Sequence, residues 1–307
     1  MTPRRVRSWL VPFFTLLVAG CGGHAADTHP QAALPVLAPK PRLGLALGGG
    51  AAKGFAHIGV IKMLEASGIH PDVVSGTSAG SVVGVLYASG MDAFRLQEQA
   101  FALDEGSIRD VRFFSGGLVQ GQKLQDYVNQ LIGQRPIEKL SKPFAAVATE
   151  LENGERAVFI RGNAGQAVRA SSSIPGVFEP VEINGRHFVD GGVVSPVPVD
   201  AARQLGADVV IAVDISARPD GSNPANMVGI VGQSITIMGR RLAEQELGRA
   251  DVVIRPKVGQ IGPTDFDQKN VAILEGERAA LAALPAIRAK IAEKAAAMGK
   301  PPVPATH

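Results

Sequence analysis

Residues Val73 to Ala88 read V-V-S-G-T-S-A-G-S-V-V-G-V-L-Y-A: a short apolar run, a glycine-flanked Thr77-Ser78-Ala79, then a run of helical character from Ser81. Strand, sharp turn and helix in that order form the setting of a G-x-S-x-G nucleophile elbow. Gly76 and Gly80 flank the turn because a Cβ at either place would crowd a neighbouring strand or helix and close off the Ser78 hydroxyl. Ser78 is therefore the first candidate for a catalytic residue.

Working outward from the elbow, strand-like runs recur at 43–47, 144–149, 157–160, 186–189, 209–213 and 252–254. They are interleaved with helix-like segments at 55–66, 93–103, 121–131, 164–170, 199–204, 227–248 and 267–297. Such alternation predicts an α/β fold, a mainly parallel sheet flanked by helices on both faces. The expected organisation is a core over 42–218, an extension of the same domain over 219–297 and a tail over 298–307.

The N-terminal stretch has a different character. Arg4, Arg5 and Arg7 precede an apolar run from Trp9 to Val18, too short to span a bilayer, and Val18-Ala19-Gly20-Cys21 follows. Residues 1–20 thus read as a secretory signal, and a cysteine directly after small residues resembles a bacterial lipoprotein box. That resemblance implies cleavage before Cys21 and acylation of the new N-terminus. Residues 22–41, with 21 the anchor point, read as a flexible tether with a reach of roughly 25 Å. Gly22 in place of aspartate after the cysteine favours an outer membrane, facing the periplasm, with the outer face of a plasma membrane as the alternative. Cys21 is the sole cysteine, so neither an internal disulfide nor a thiolate metal site is expected. The signal carries three arginines and no acidic residue. Removing it takes Lys+Arg from 31 to 28 against 28 Asp+Glu, and leaves no electrostatic case for a nucleic-acid partner.

A serine hydroxyl needs a base and donors for a developing oxyanion. The donors are read in Gly48-Gly49-Gly50-Ala51-Ala52-Lys53-Gly54, between a strand and a helix, where backbone N–H groups and a helix N-terminus suit an oxyanion or a phosphate. The nucleotide patterns fail in detail: Lys53 precedes Gly54 where a P-loop needs Gly-Lys-Ser/Thr, and Gly48, Gly50 and Lys53 miss the one-three-six glycine spacing. For the base, His24, His29 and His307 lie outside any scaffold, His70 sits in a loop, and His57 reads as structural. His187 comes three residues before Asp190. Asp190, at a strand end before Gly191 and Gly192, is the sharper choice for direct pairing with Ser78, its competitor being an Asx-turn aspartate that only shapes the loop.

L-A-L-G-G-G-A-A-K-G-F-A-H-I-G-V from Leu45, G-T-S-A-G from Gly76, R-A-S-S-S-I-P-G-V-F-E-P-V from Arg169 and V-D-G-G-V-V-S-P-V-P from Val189 occur in this order. Together they resemble the patatin-like phospholipases and, among them, the bacterial branch, on a patatin-like three-layer fold. The resemblance implies a Ser-Asp dyad without histidine, with Ser78 as acylated nucleophile, Asp190 as general base and the glycine-loop amides as oxyanion hole. Plant-type patatins place two residues between their third and fourth glycines, whereas three separate Gly50 from Gly54. Aligned on Lys53-Gly54, the family's glycine positions fall on Gly49, Gly50 and Ala51, so the hole is drawn from Gly48, Gly49, Gly50 and Ala51. An alanine there keeps its donor if its φ is negative. Lys53 takes the family's basic position, from which it could attract a lipid phosphate or pair structurally.

The expected function is hydrolysis of a lipid acyl ester by a lipid-anchored protein, with a membrane lipid as substrate and no cofactor or metal. Acyl transfer by the same dyad and a non-catalytic lipid-binding module are the alternatives. Arg169–Pro175 is expected to shape the pocket wall, and Phe113-Phe114 to be core or a lipid-touching lid.

Overall fold

The computed structural model describes residues 40–103, 119–218 and 226–299. The expectations for the signal, Cys21, the tether, Phe113-Phe114 and the tail lie outside these residues.

Eight strands form one sheet: β1 (Leu43–Leu47), β2 (Val73–Thr77), β3 (Phe144–Glu150), β4 (Arg156–Phe159), β5 (Val181–Ile183), β6 (Arg186–Asp190), β7 (Val209–Val213) and β8 (Val252–Ile254). The order is β5-β6-β3-β2-β1-β7-β8, with β4 also on β3. β3, β2, β1, β7 and β8 run parallel, while β4 and β6 lie antiparallel to β3. Eight helices accompany them among the described residues: α1 (Phe55–Ala66), α2 (Ala79–Ala88), α3 (Ala93–Ala102), α4 (Gln122–Leu131), α5 (Ala164–Ser171), α6 (Val199–Gln204), α7 (Met227–Leu247) and α8 (Lys269–Met298).

The two sheet faces follow from the two-residue period of a strand. Leu43, Leu45 and Leu47 join Val209, Ile211 and Val213 in the larger core, which α1, α2, α3 and α8 cover. Ala46, Val210 and Ala212 face the other way, against Val199 and Ala202 of α6 and Ala243 and Leu247 of α7. Small residues on that thinner face let α6 come close. On the thick face α1 and α8 touch backbone to backbone: a Cβ on Gly59 would sit 1.9 Å from the Ile273 carbonyl oxygen, and one on Gly276 2.0 Å from that of Ala56.

The sequence expectation omitted β5. Its signal is present all the same, since Asn184 (φ 52°) and Gly185 (φ 76°) are both left-handed and join β5 to β6 as a two-residue hairpin turn, the geometry Asn-Gly favours. The parallel strands carry their C-terminal ends to one edge. There β1 runs into Gly48, β2 into Ser78 and β7 into Asp214, and this edge holds the candidate site.

Candidate active site

Ser78 occupies the single residue between β2 and α2 with φ 52° and ψ −125°, a conformation costly for any side-chain-bearing residue. The glycines around it leave no alternative. A Cβ on Gly76 would lie 2.4 Å from the Gly80 carbonyl oxygen, and one on Gly80 2.1 Å from that of Leu47. The Ser78 N–H, one of the orphan donors at the start of α2, donates to Ser171 Oγ at 3.0 Å, and Ser171 Oγ donates to the Val147 carbonyl at 2.5 Å.

Asp190 ends β6 and is placed by its own backbone: its N–H donates to the Ser173 carbonyl at 2.8 Å and its carbonyl accepts from Thr149 Oγ1 at 2.9 Å. Oδ1 accepts from the Gly192 N–H at 2.7 Å, the Asx-turn contact, and a Cβ on Gly191 would meet the Val147 carbonyl oxygen at 2.1 Å. The turn uses one carboxylate oxygen and leaves Oδ2 buried without an aligned donor. Burial pushes the carboxyl up to about 6, against the opposing pull of the Ser78 hydroxyl and the Gly192 amide. The Ser78 hydroxyl thus lies close enough to lower the carboxyl but makes no aligned hydrogen bond with Oδ2. Such loose resting contacts tighten when substrate fills a site.

In the glycine loop the Gly48 N–H donates to the Val213 carbonyl and the Gly49 N–H to that of Pro196, both at 3.0 Å. Two of the four expected oxyanion donors are thus committed to the scaffold. The Gly50 and Ala51 N–H groups have no acceptor among the described residues, and Ala51 lines the cavity beside Ser78. Ala51 has φ 51°, in the left-handed region, so the condition of a negative φ is not met, and its N–H is nonetheless left without an acceptor among the described residues. Lys53 is buried, has no ion pair among the described residues, and is lowered in pKa by desolvation.

That cavity measures about 280 Å³ and is walled by Val82, Val83, Leu124, Tyr127, Phe178 and Phe266. Ser172 also lines it and keeps a buried Oγ without a partner. A larger groove of about 640 Å³ between β8 and α8, lined by Arg255, Lys257, Glu275 and Arg278, includes none of these site residues.

Neither His57 nor His187 serves Ser78. His187 is exposed and pairs with Glu152 at 2.7 Å. His57 is buried, and desolvation lowers it to about 4 against the pull of Gly48 and Asp214; being neutral, it donates from Nε2 to the Gly48 carbonyl at 2.8 Å and so braces the glycine loop. Several supports were not anticipated from sequence. The Ser171–Ser173 run, expected only to wall the pocket, holds the backbone of both Ser78 and Asp190. Glu246 of α7 accepts from Ser195 Oγ at 2.5 Å and from the Val197 N–H at 2.8 Å, fixing the segment whose Pro196 carbonyl receives Gly49.

The model of the patatin-like phospholipase family matches residues 45–203 of this chain. An uncharacterized NTE family protein of Mycobacterium tuberculosis is 39% identical over 185 residues, 59% of this chain and 51% of that protein. The lysophospholipase nte1 of Aspergillus fumigatus is 34% identical over 186 residues, 59% of this chain but 12% of that protein. The chain thus spans about half the length of the mycobacterial relative. Among solved structures, VipD from Legionella pneumophila shares the fold, with a TM-score of 0.57 at 15% identity over 80% of this chain and 67% of that one. The chain belongs to the patatin-like phospholipase family.

Proposed function

We propose that the protein hydrolyses lipid acyl esters, with Ser78 as nucleophile and Asp190 as base. The observation that carries this reading is the meeting of three features: a serine on a strained elbow, a buried carboxylate oxygen with no aligned donor, and an apolar cavity opening beside them. The lysophospholipase among the relatives supports an acyl lipid as substrate.

In the first step Asp190 Oδ2 takes the Ser78 proton as Oγ attacks the ester carbonyl. The carbonyl oxygen becomes an oxyanion held by the Gly50 and Ala51 N–H groups, each donor of this kind contributing about 3 kcal/mol. Collapse returns the proton from Asp190 to the leaving alcohol and leaves the acyl group on Ser78, its chain in the apolar cavity. Water, deprotonated by Asp190, then attacks the acyl-enzyme and releases the fatty acid. A carboxyl at about 6 suits this exchange, since a base near the working pH both takes and returns a proton. In this reading Ser172 Oγ, buried on the cavity wall without a partner, donates to the bound ester, and Lys53 is the candidate for attracting a substrate phosphate. An acyl group on Cys21 would hold this domain at a membrane of an exported location; that part rests on the sequence alone.

Fatty-acid release from mixed phospholipid vesicles by the parent, Ser78→Ala and Asp190→Ala tests the reading. The expected result is a loss of about a thousandfold or more in both variants with folding intact. Equal activity in all three, or none in the parent on any ester, would overturn it.

A further inference from the structure

α7 is an inverted helix. From Asn226 to Gly239 it carries no charged residue, and six large apolar side chains, Met227, Ile230, Val231, Ile235, Ile237 and Met238, are between 47% and 80% exposed. At 3.6 residues per turn they fall within an arc of roughly 160°, broken only by Ser234. A helix that served the core would turn this stripe inward. Here a methyl group added at Gly232 or Gly239 would meet no atom within 4 Å, so this half stands clear of the body. Contiguous exposed apolar surface of this kind marks an interaction site.

Its position is set by the other half. Arg240 pairs with buried Asp214, the residue after β7, at 3.1 Å, and Ala243, Glu246 and Leu247 pack on the sheet layer beyond it. Residues 227–239 consequently extend roughly 20 Å past the C-terminal edge of the sheet, the edge that carries Gly48, Ser78 and Asp214. Beside the site, Val177, which lines the cavity, and Val193, which follows the Asp190 turn, are exposed as well. The uncharged run ends in Arg240, held by Asp214, and Arg241, whose side chain is 80% exposed with Glu244 at 3.6 Å, where a helix lying in lipid would meet headgroup phosphates. No described helix is long and apolar enough to cross a membrane, so the stripe suits insertion in the plane of the interface.

We propose that the N-terminal half of α7 docks on a phospholipid surface and presents the Ser78 cavity to the bilayer. The choice of lipid over a protein partner rests on the acyl-lipid reading above, on the shared edge with the active site, and on the exposed Arg241 at the border of the stripe.

The test uses the full chain with Cys21→Ser, which bears no other cysteine, so that Ile235→Cys gives a unique site for an environment-sensitive dye. Phosphatidylcholine vesicles, with and without phosphatidylglycerol, should shift the dye at 235 to the blue and leave a dye at Glu244→Cys unchanged. In the unlabelled chain, Ile230→Ser, Ile235→Ser and Met238→Ser together should lower vesicle partitioning about tenfold or more, while hydrolysis of a soluble short-chain ester stays at the parent level. No shift at 235 on vesicles overturns the proposal. So does a shift without vesicles that grows with protein concentration, which would assign the stripe to a second copy, or loss of soluble-ester activity in the serine variant. Absence of esterase activity in the parent would strike the acyl-hydrolase reading alone, because the dye reports docking without turnover.

Discussion

The pH dependence of turnover follows from where Asp190 sits. Burial raises its carboxyl first, the Ser78 hydroxyl and Gly192 amide pull it back, and the balance lies at about 6. As the proposed base it must be ionised, so the active fraction is about nine tenths at pH 7, half at pH 6 and about one tenth at pH 5. The specificity constant kcat/KM for a soluble ester should therefore fall about tenfold from pH 7 to 5, and about tenfold per further unit. His57, held neutral with a value of about 4, contributes no limb in that range. Glu246 is another buried carboxyl near the site, raised to about 7 chiefly by desolvation. It touches Ser195 and Val197 and not Ser78, so Glu246→Gln should leave the limb in place, as should His187→Ala. Initial rates in buffers of constant ionic strength, with stability checked at each pH, provide the assay. A flat profile between pH 5 and 7.5, a limb that moves with Glu246→Gln, or one that disappears with His187→Ala would refute the assignment of the base.

The same burial makes Asp190 a stability liability with a definite sign. Its folded-state value lies above its unfolded value of 3.8, so the folded state gains least where the group is charged, and stability from this residue is lost as pH rises from about 4 to 6. Asp190→Asn should accordingly be more stable than the parent by about 2–3 kcal/mol at pH 8, with the advantage gone by about pH 4 in denaturant titrations. Ser171→Ala removes the acceptor for the Ser78 N–H; we expect kcat to fall about tenfold or more with KM little changed, measured on a soluble ester. Gly276→Ala drives a methyl into the Ala56 carbonyl, costing about 1–3 kcal/mol and lowering Tm by several degrees while the parent kcat is kept at low temperature.

The strands and their faces were legible because the apolar runs at 43–47 and 209–213 are short and bounded by turn residues, and burial on both faces makes such runs continuous. Ser78 and Asp190 stood out for a local reason, since an elbow and a strand-end turn each need glycines at fixed offsets. The supporting shell was not legible. Ser171 reaches Ser78 across 93 residues and Glu246 reaches Ser195 across 51, and no local spacing encodes a tertiary hydrogen bond. The oxyanion loop divides in the same way: glycine content points to the loop, but only the positions of Val213 and Pro196 decide that Gly48 and Gly49 are spent on the scaffold. The period of α7 announces a stripe without saying whether it faces in or out, because a helical repeat is identical in both cases.

The central claim is that Ser78 carries the acyl group. Rapid acid quenching during turnover of a slowly deacylated ester, followed by mass spectrometry of the digested chain, reads this directly. One acyl adduct is expected, on the peptide containing Ser78, absent from Ser78→Ala and greatly reduced in Asp190→Ala. An adduct on Ser171, Ser172 or Ser173, or steady turnover with no adduct at any serine, would contradict it.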